Sequence, residues 1–316
     1  MRAIPLCLLG GLLALPVQAS EVQELLGRLA AAERQQSFQG TFIYERNGSF
    51  STHAVWHRVE QGGQVRERLL QLDGPAQEVL KVDGKAQCVT GALADQVSEG
   101  QAAWPARQLD AEQLSNWYDI RVAGQSRIAN RAADVLMLAP RDQHRYGFEL
   151  HLDRETGLPL KSLLLNERGQ LLERFQFAQL DTSTPVDDAM RPSSGCRAVQ
   201  FRTADSMAEG RWRSDWLPPG FTLTTAQSRR GASADDPVAY LMYGDGLARF
   251  SVFIEPLNGS VVEDARSQLG PTVAVSRRMT TGSGDAMVTV VGEIPLGTAE
   301  RVALSMRAGV PEQASQ

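Results

Sequence analysis

Residues Phe38 to Val59 read FQGTFIYERNGSFSTHAVWHRV, and the reading of this stretch decides the fold. Two runs rich in aromatic and β-branched residues, Phe38–Glu45 and Phe50–Val59, flank Asn47-Gly48. Asn-Gly supplies the positive φ angles of a tight type I′ turn, so the stretch predicts a β-hairpin. Alternate residues of the first run, Phe38, Gly40, Phe42 and Tyr44, share one face, with a gap at Gly40. A two- or four-residue loop sets Phe42 opposite His53 and Phe38 opposite His57. An odd loop with a bulge instead brings Phe50, Ala54 and Trp56 onto the aromatic face. A one-residue slip moves every side chain to the other face, and both registers stay open. Such a face either closes a core or lines a cavity for an apolar ligand.

The pattern continues on both sides of the hairpin. Upstream, Val22, Leu25, Leu26 and Leu29 fall at helical spacing within Ser20–Arg34, and Ser20 with Gln23 has capping-box spacing. One apolar stripe requires a surface to lie on, most simply the sheet. Downstream, Gln64–Leu72, Ala76–Val82 and Lys85–Thr90 are separated by the turn dipeptides Asp73-Gly74 and Asp83-Gly84. Leu93–Arg107 has no periodicity and reads as a loop. Asp110–Tyr118 reads as a short helix, with Asp110 and Gln113 as its cap pair. Five further strands end near Leu180. A long antiparallel meander with helices at two points predicts a strongly curved sheet with a covered interior.

Asp181–Gly210 breaks this pattern with Thr182-Ser183-Thr184-Pro185 and Pro192-Ser193-Ser194-Gly195. The expected organisation is residues 20–184 as a first domain, 185–210 as a linker and 211–316 as a small α+β domain. In the last unit, Val238–Tyr243 and Leu247–Glu255 form one hairpin, and Thr272–Met279 pairs with Ala286–Glu293. Thr298 is expected to cap a helix in which Ala299, Val302, Ala303 and Met306 share a face.

Composition narrows the function classes. Arg2, the apolar run Ile4–Val17 and Val17-Gln18-Ala19 resemble an export signal cleaved after Ala19, so a soluble exported product is expected. The apolar run is too short to span a membrane. Net charge is −5, and removal of Arg2 makes it −6, a poor balance for general nucleic-acid binding. Cys88 and Cys196 remain after cleavage and either pair or stay separate thiols.

Catalytic and metal motifs are absent from the sequence: no G-x-S-x-G, H-E-x-x-H, P-loop or paired-cysteine spacing occurs. His53 and His57 stand roughly 13 Å apart on a strand, too far to share a metal. His151 and Asp153 share a strand face without a marked nucleophile. Gly282-Ser283-Gly284 reads as a hairpin loop. No catalytic residue, cofactor or metal is therefore expected. Arg127, Arg131, Arg141 and Arg145 read as solvated, as partners of Asp119, Asp134 and Asp142, or as contacts for an anionic head group.

The ordered set of motifs resembles the RseB/MucB family of periplasmic regulators. It comprises Phe38-Gln39-Gly40-Thr41-Phe42, Pro140-Arg141-Asp142, Arg145-Tyr146-Gly147, Thr156-Gly157-Leu158-Pro159 and Leu217-Pro218-Pro219-Gly220-Phe221. It continues with Tyr243-Gly244-Asp245-Gly246-Leu247-Ala248 and Val291-Gly292-Glu293-Ile294-Pro295. Asn130 stands where that pattern has glycine; asparagine tolerates positive φ. The resemblance implies a first domain similar to the carriers LolA and LolB, an unclosed antiparallel β-barrel over an apolar cavity. It also implies a second domain that binds the periplasmic part of a membrane-spanning anti-sigma factor (RseA or MucA) and shields it from site-one proteolysis. Lipid or lipopolysaccharide fragments are the implied release signal, and a homo-oligomer stays open. The resemblance favours the cavity reading for Phe42, Tyr44, Phe50 and Trp56. Trp216, Phe221, Tyr243 and Phe253 are candidates for partner contact, with the small domain's own core as the alternative. A lipid carrier is the rival function, and a hydrolase using His151 and Asp153 a second one.

Overall fold

The structure is a computed structural model that describes residues 15–90, 111–199, 205–206, 211–230, 237–260, 262–282 and 284–309. The expected loop 93–107 and most of the expected export signal lie outside them. An α-helix, α1 (Leu15–Gln35), precedes five strands: β1 (Phe38–Arg46), β2 (Ser49–Val59), β3 (Val65–Gln71), β4 (Glu78–Val82) and β5 (Lys85–Val89). A short helix α2 (Ala111–Ser115) leads into β6 (Tyr118–Ile128), β7 (Arg131–Pro140), β8 (Gly147–Asp153), β9 (Pro159–Leu165) and β10 (Leu171–Asp181). Then come β11 (Arg197–Ala198), β12 (Asp205–Ser206), β13 (Trp212–Ser214), β14 (Thr222–Arg230), β15 (Pro237–Gly244) and β16 (Arg249–Pro256). The chain ends in β17 (Ala265–Leu269), β18 (Thr272–Thr281), β19 (Gly284–Gly292), α3 (Leu296–Ser305) and β20 (Met306–Ala308).

The first sheet is antiparallel and unclosed, in the order β11-β5-β4-β3-β2-β1-β10-β9-β8-β7-β6. Its hairpins follow the turn chemistry. Asn47 and Gly48 have φ of 52° and 73°, and Asp83 and Gly84 have 50° and 75°. At the β6–β7 turn Ala129 and Asn130 take 47° and 64°, so asparagine does occupy the left-handed region there. The central strands β1 and β10 join the two halves of the meander. They approach so closely that a Cβ on Gly40 would lie 2.3 Å from the Gln179 carbonyl oxygen. The gap at Gly40 is thus taken by β10 itself and by the Phe177 ring.

Helix α1 covers this sheet because its single apolar stripe needs a partner. Leu25, Leu26 and Leu29 are buried against Tyr118, Leu136, Leu138, Leu150 and Leu152. Burying each such side chain contributes about 1.5–3 kcal/mol. The helix begins before Ser20, so that serine lies inside it and the expected capping box is not formed there.

The second sheet has the order β12-β14-β15-β16-β19-β18-β17, and α3 packs on it. Ala299, Val302 and Ala303 are buried on one face of α3, as their spacing predicts; Met306, expected on the same helix, is instead extended and opens β20, buried in the same core. Thr298 is not the cap: Pro295 holds that position without a side-chain hydrogen bond, because the helix starts three residues earlier than expected. Strands β14 and β17 were not expected; polar, exposed β17 lacks the apolar alternation that marks a half-buried strand.

Residues 185–198, expected as free linker, are tied to the first sheet. Arg58 pairs with Asp187, and Arg68 donates to the Ala189 carbonyl. Met190 is buried, and Ser193 hydrogen-bonds the Glu78 carboxylate. Cys88 and Cys196 form a disulfide across 108 residues of sequence, beside the β5–β11 pairing.

Candidate functional site

The β1–β2 pairing resolves the two registers. Arg46 pairs with Ser49 across a two-residue turn, so Phe42 faces His53 and Phe38 faces His57. The rings meet as stacks: Phe38 on His57 at 4.8 Å and Phe42 on His53 at 5.0 Å between centroids. Strand β10 adds Phe175 and Phe177, whose rings lie 4.8 Å and 6.0 Å from Phe42. These rings wall a cavity of about 370 Å³, with Val55, Leu69, Leu158, Pro159 and Leu29 of the covering helix completing it.

Of the four predicted cavity residues, Phe42 and Tyr44 line this space. Phe50 and Trp56 do not. The even turn sends both to the opposite face, where Phe50 is 64% exposed and Trp56 lies under the Arg68 guanidinium at 4.8 Å. His53, His57, Phe175 and Phe177 take their place. The aromatic alternation of Phe175 and Phe177 was visible in the sequence, but their adjacency to β1 comes from a strand pairing across more than a hundred residues.

Polar groups enter the cavity at defined points. His57, Glu67 and Lys81 are direct neighbours across β2, β3 and β4. Glu67 Oε2 lies 3.6 Å from His57 Nδ1, and Oε1 lies 3.3 Å from Lys81 Nζ. Burial pushes the Glu67 carboxyl up, but hydrogen bonding from His57 and the Lys81 charge outweigh it and hold it down at about 2. Burial lowers His53 below the ordinary imidazole value. The Tyr44 hydroxyl donates to Glu173 at 2.6 Å, and burial together with that carboxylate pushes it above the ordinary phenol range.

Beyond the cavity, the hairpin tip reaches the second sheet. Arg46 hydrogen-bonds Thr272 and Glu293 while its Nε lies 3.6 Å from Glu173. A larger contact centres on Arg145. Of the readings open for this residue, the solvated one fails, since it is 1% exposed, and the pairing with Asp142 holds. Its guanidinium donates to both Asp142 oxygens, to Asp245 and to the Pro219 carbonyl. The rings of Trp117, Tyr118 and Phe221 surround it at 5.4, 5.6 and 5.1 Å. Asp245 in turn accepts from the Leu247 and Ala248 amides. Burial raises the Asp245 carboxyl, against the pull of those amides and of Arg145. Buried charges demand such complete pairing.

The predicted partner-contact residues are placed differently from one another. Phe221 and Tyr243 are core, packed on Phe250 at 5.3 and 5.2 Å. Trp216 sits under Arg301 at 3.9 Å with the His144 ring against it at 5.1 Å, at the junction of the two sheets. Phe253 is half-buried beside Tyr240 at 5.2 Å. Phe221 and Tyr243 therefore offer no free anchor, because this sheet must fill its own single core.

His151 and Asp153 do not pair. Asp153 takes a bidentate Arg131 and Thr156, whereas His151 lies between Ser126 and Glu149 at 2.7 Å each. None of these residues lines the cavity. Arg127 bonds Asn130, and Arg141 lies 3.9 Å from Asp119. Among the described residues no group of three or more His, Cys, Asp or Glu could hold a metal ion, and no helix is long and apolar enough to cross a membrane.

An unclosed antiparallel sheet over an apolar cavity, locked to a smaller sheet domain by a buried arginine, defines the class of protein. The profile of the MucB/RseB N-terminal domain matches residues 21–194, and that of the MucB/RseB C-terminal domain matches 206–307. The chain belongs to the MucB/RseB family. It is 64% identical to the sigma factor AlgU regulatory protein MucB of Pseudomonas aeruginosa over 98% of both chains. To the sigma-E factor regulatory protein RseB of Escherichia coli it is 27% identical over 91% of both. The solved complex of MucA and MucB from Pseudomonas aeruginosa superposes with a TM-score of 0.81 at 63% identity, covering 92% of this chain and 99% of that one.

Proposed function

We propose that the chain is a non-enzymatic negative regulator of an envelope-stress sigma factor, acting from the periplasm. It binds the periplasmic segment of an anti-sigma factor of the MucA/RseA kind and shields it from site-one proteolysis. The observation that carries this reading is the likeness to MucB, 64% identical over 98% of this chain, together with the superposition of 92% of the chain on a MucB solved with MucA.

Release by lipid follows from the cavity as a second part of the proposal. A ligand shifts an equilibrium only by its differential affinity for the two states. Turning a 99:1 balance to 1:99 needs about 5.5 kcal/mol, and each buried methylene supplies about 0.8 kcal/mol. The test is binding of the signal-cleaved chain to the anti-sigma segment, with and without lipopolysaccharide fragments. Tight binding weakened by the fragments is expected. No binding in either condition would discard the regulator reading; binding indifferent to lipid would discard the switch alone.

The cavity also favours a second reading, a lipid carrier. Truncation cannot separate the two cleanly, since removing 211–316 would strip Asp245 from buried Arg145. The intact chain should instead be assayed for lipid transfer between vesicles. Transfer no faster than spontaneous exchange is expected.

A further inference from the structure

We propose that Lys81 is the head-group anchor of the cavity, so that the cavity selects amphiphiles whose head carries an anionic oxygen acceptor, a carboxylate or phosphate ester, over neutral ones. This rests on the reading of the cavity as a lipid site. The argument starts from the register: His57, Glu67 and Lys81 form one row across three adjacent strands, and all three line the cavity. Glu67 is spent. One carboxylate oxygen lies against Lys81 and the other against His57. Lys81 is not spent. An ammonium has three N–H donors, and Glu67 is its one ion-pair partner among the described residues. The unused capacity at Lys81 is donor capacity, which an acceptor oxygen satisfies and a cationic head does not.

The rest of the cavity supports the same orientation. Tyr44 also lines it, but its hydroxyl is committed to Glu173. Phe42, Phe175 and Phe177 are apolar. A ligand that buries its tail among these rings keeps its head at Lys81, because a charge-assisted hydrogen bond gains strength where water is excluded. Lysine is scarce in this chain, with arginine the usual cation; only Lys81, Lys85 and Lys161 occur, and Lys81 alone of them lines this cavity.

The experiment compares monomeric palmitate, its methyl ester and inorganic phosphate on the intact signal-cleaved chain, as wild type, K81M and K81R. Wild type is expected to bind palmitate roughly tenfold or more tighter than the ester, the effect of one charge-assisted hydrogen bond. K81M should bring palmitate to the level of the ester and leave ester binding unchanged, which also reports an intact cavity. K81R should keep the preference. Equal binding of acid and ester by wild type, or a preference that survives in K81M, would overturn the anchor while leaving the lipid cavity standing. Inorganic phosphate displacing palmitate at comparable concentration would make the row a plain anion site and overturn the amphiphile assignment. Failure of both palmitate and ester to bind would overturn the anchor together with the lipid reading. Binding to the anti-sigma segment, measured separately without lipid, would be untouched by any of these results.

Discussion

Glu67 shows how much a single position depends on its neighbours. Its carboxyl titrates at about 2 in the fold against an ordinary 4.5, because His57 and Lys81 hold its charged form in place. A carboxyl depressed in the folded state contributes stability that is complete above its unfolded value and is lost as pH falls through its folded one. For Glu67 that window runs from 4.5 down to about 2, and linkage bounds the contribution at about 3 kcal/mol. Asp153, depressed against its own burial by Arg131 and Thr156, acts in the same direction. Urea unfolding of wild type and E67Q between pH 2 and 6 isolates the Glu67 share. The expected outcome is a flatter acid limb in the variant, and identical limbs would refute the assignment. The row was illegible in the sequence: Glu67 stands in a strand of mixed polarity, VRERLLQ, that marks no site.

At the scale of elements, the disulfide fastens β5 and the chain after β10 into one sheet edge. Closing a loop of about a hundred residues stabilises by about 4–5 kcal/mol in the chain-entropy model. Reduction, or C88S with C196S, should lower denaturant stability by about that amount, and thiol titration of native protein should find no free cysteine among the pair. An unchanged midpoint after confirmed reduction would show that the edge is held by Glu78, Ser193 and Met190 alone. Elements themselves were largely readable from sequence. Period-two alternation and Asn-Gly or Asp-Gly turns are local signals, and the hairpins at Asn47-Gly48 and Asp83-Gly84 follow them. The β6–β7 turn carries Ala129-Asn130, and the strand it ends runs to Ile128. Polar outward positions in β6 and β17 carry strand conformation through pairing rather than pattern.

For the whole molecule, Arg145 is the decisive contact between the two sheets. It joins the loop before β8 to the β15–β16 turn and to Pro219, and the ring of Trp117 lies against Gly220. Removing one partner of a buried pair leaves the other charge unpaired, at a cost of about 3–5 kcal/mol. R145M should therefore destabilise by about that amount and split calorimetric unfolding into two transitions, one for each sheet. A single undiminished transition would show that Arg46, Trp216 and their neighbours suffice to couple the domains. The motifs meeting at Arg145 are those by which the chain resembles its family, and three of them serve this joint: the Pro140–Gly147 stretch, Leu217–Phe221 and Tyr243–Ala248.

The sequence by itself determined most of the strands and turns, the one-sided helices α1 and α3 and the division into a large and a small sheet. These depend on residues a few positions apart, where backbone preference and apolar spacing act directly. Only the tertiary structure decided which faces became walls, joints or surface. Phe50 and Trp56 left the cavity through the parity of one turn. Arg145 found Asp245 a hundred residues away, and Cys88 found Cys196 across 108. Such partners are chosen by packing, register and the need to neutralise buried charge, and no local pattern records them.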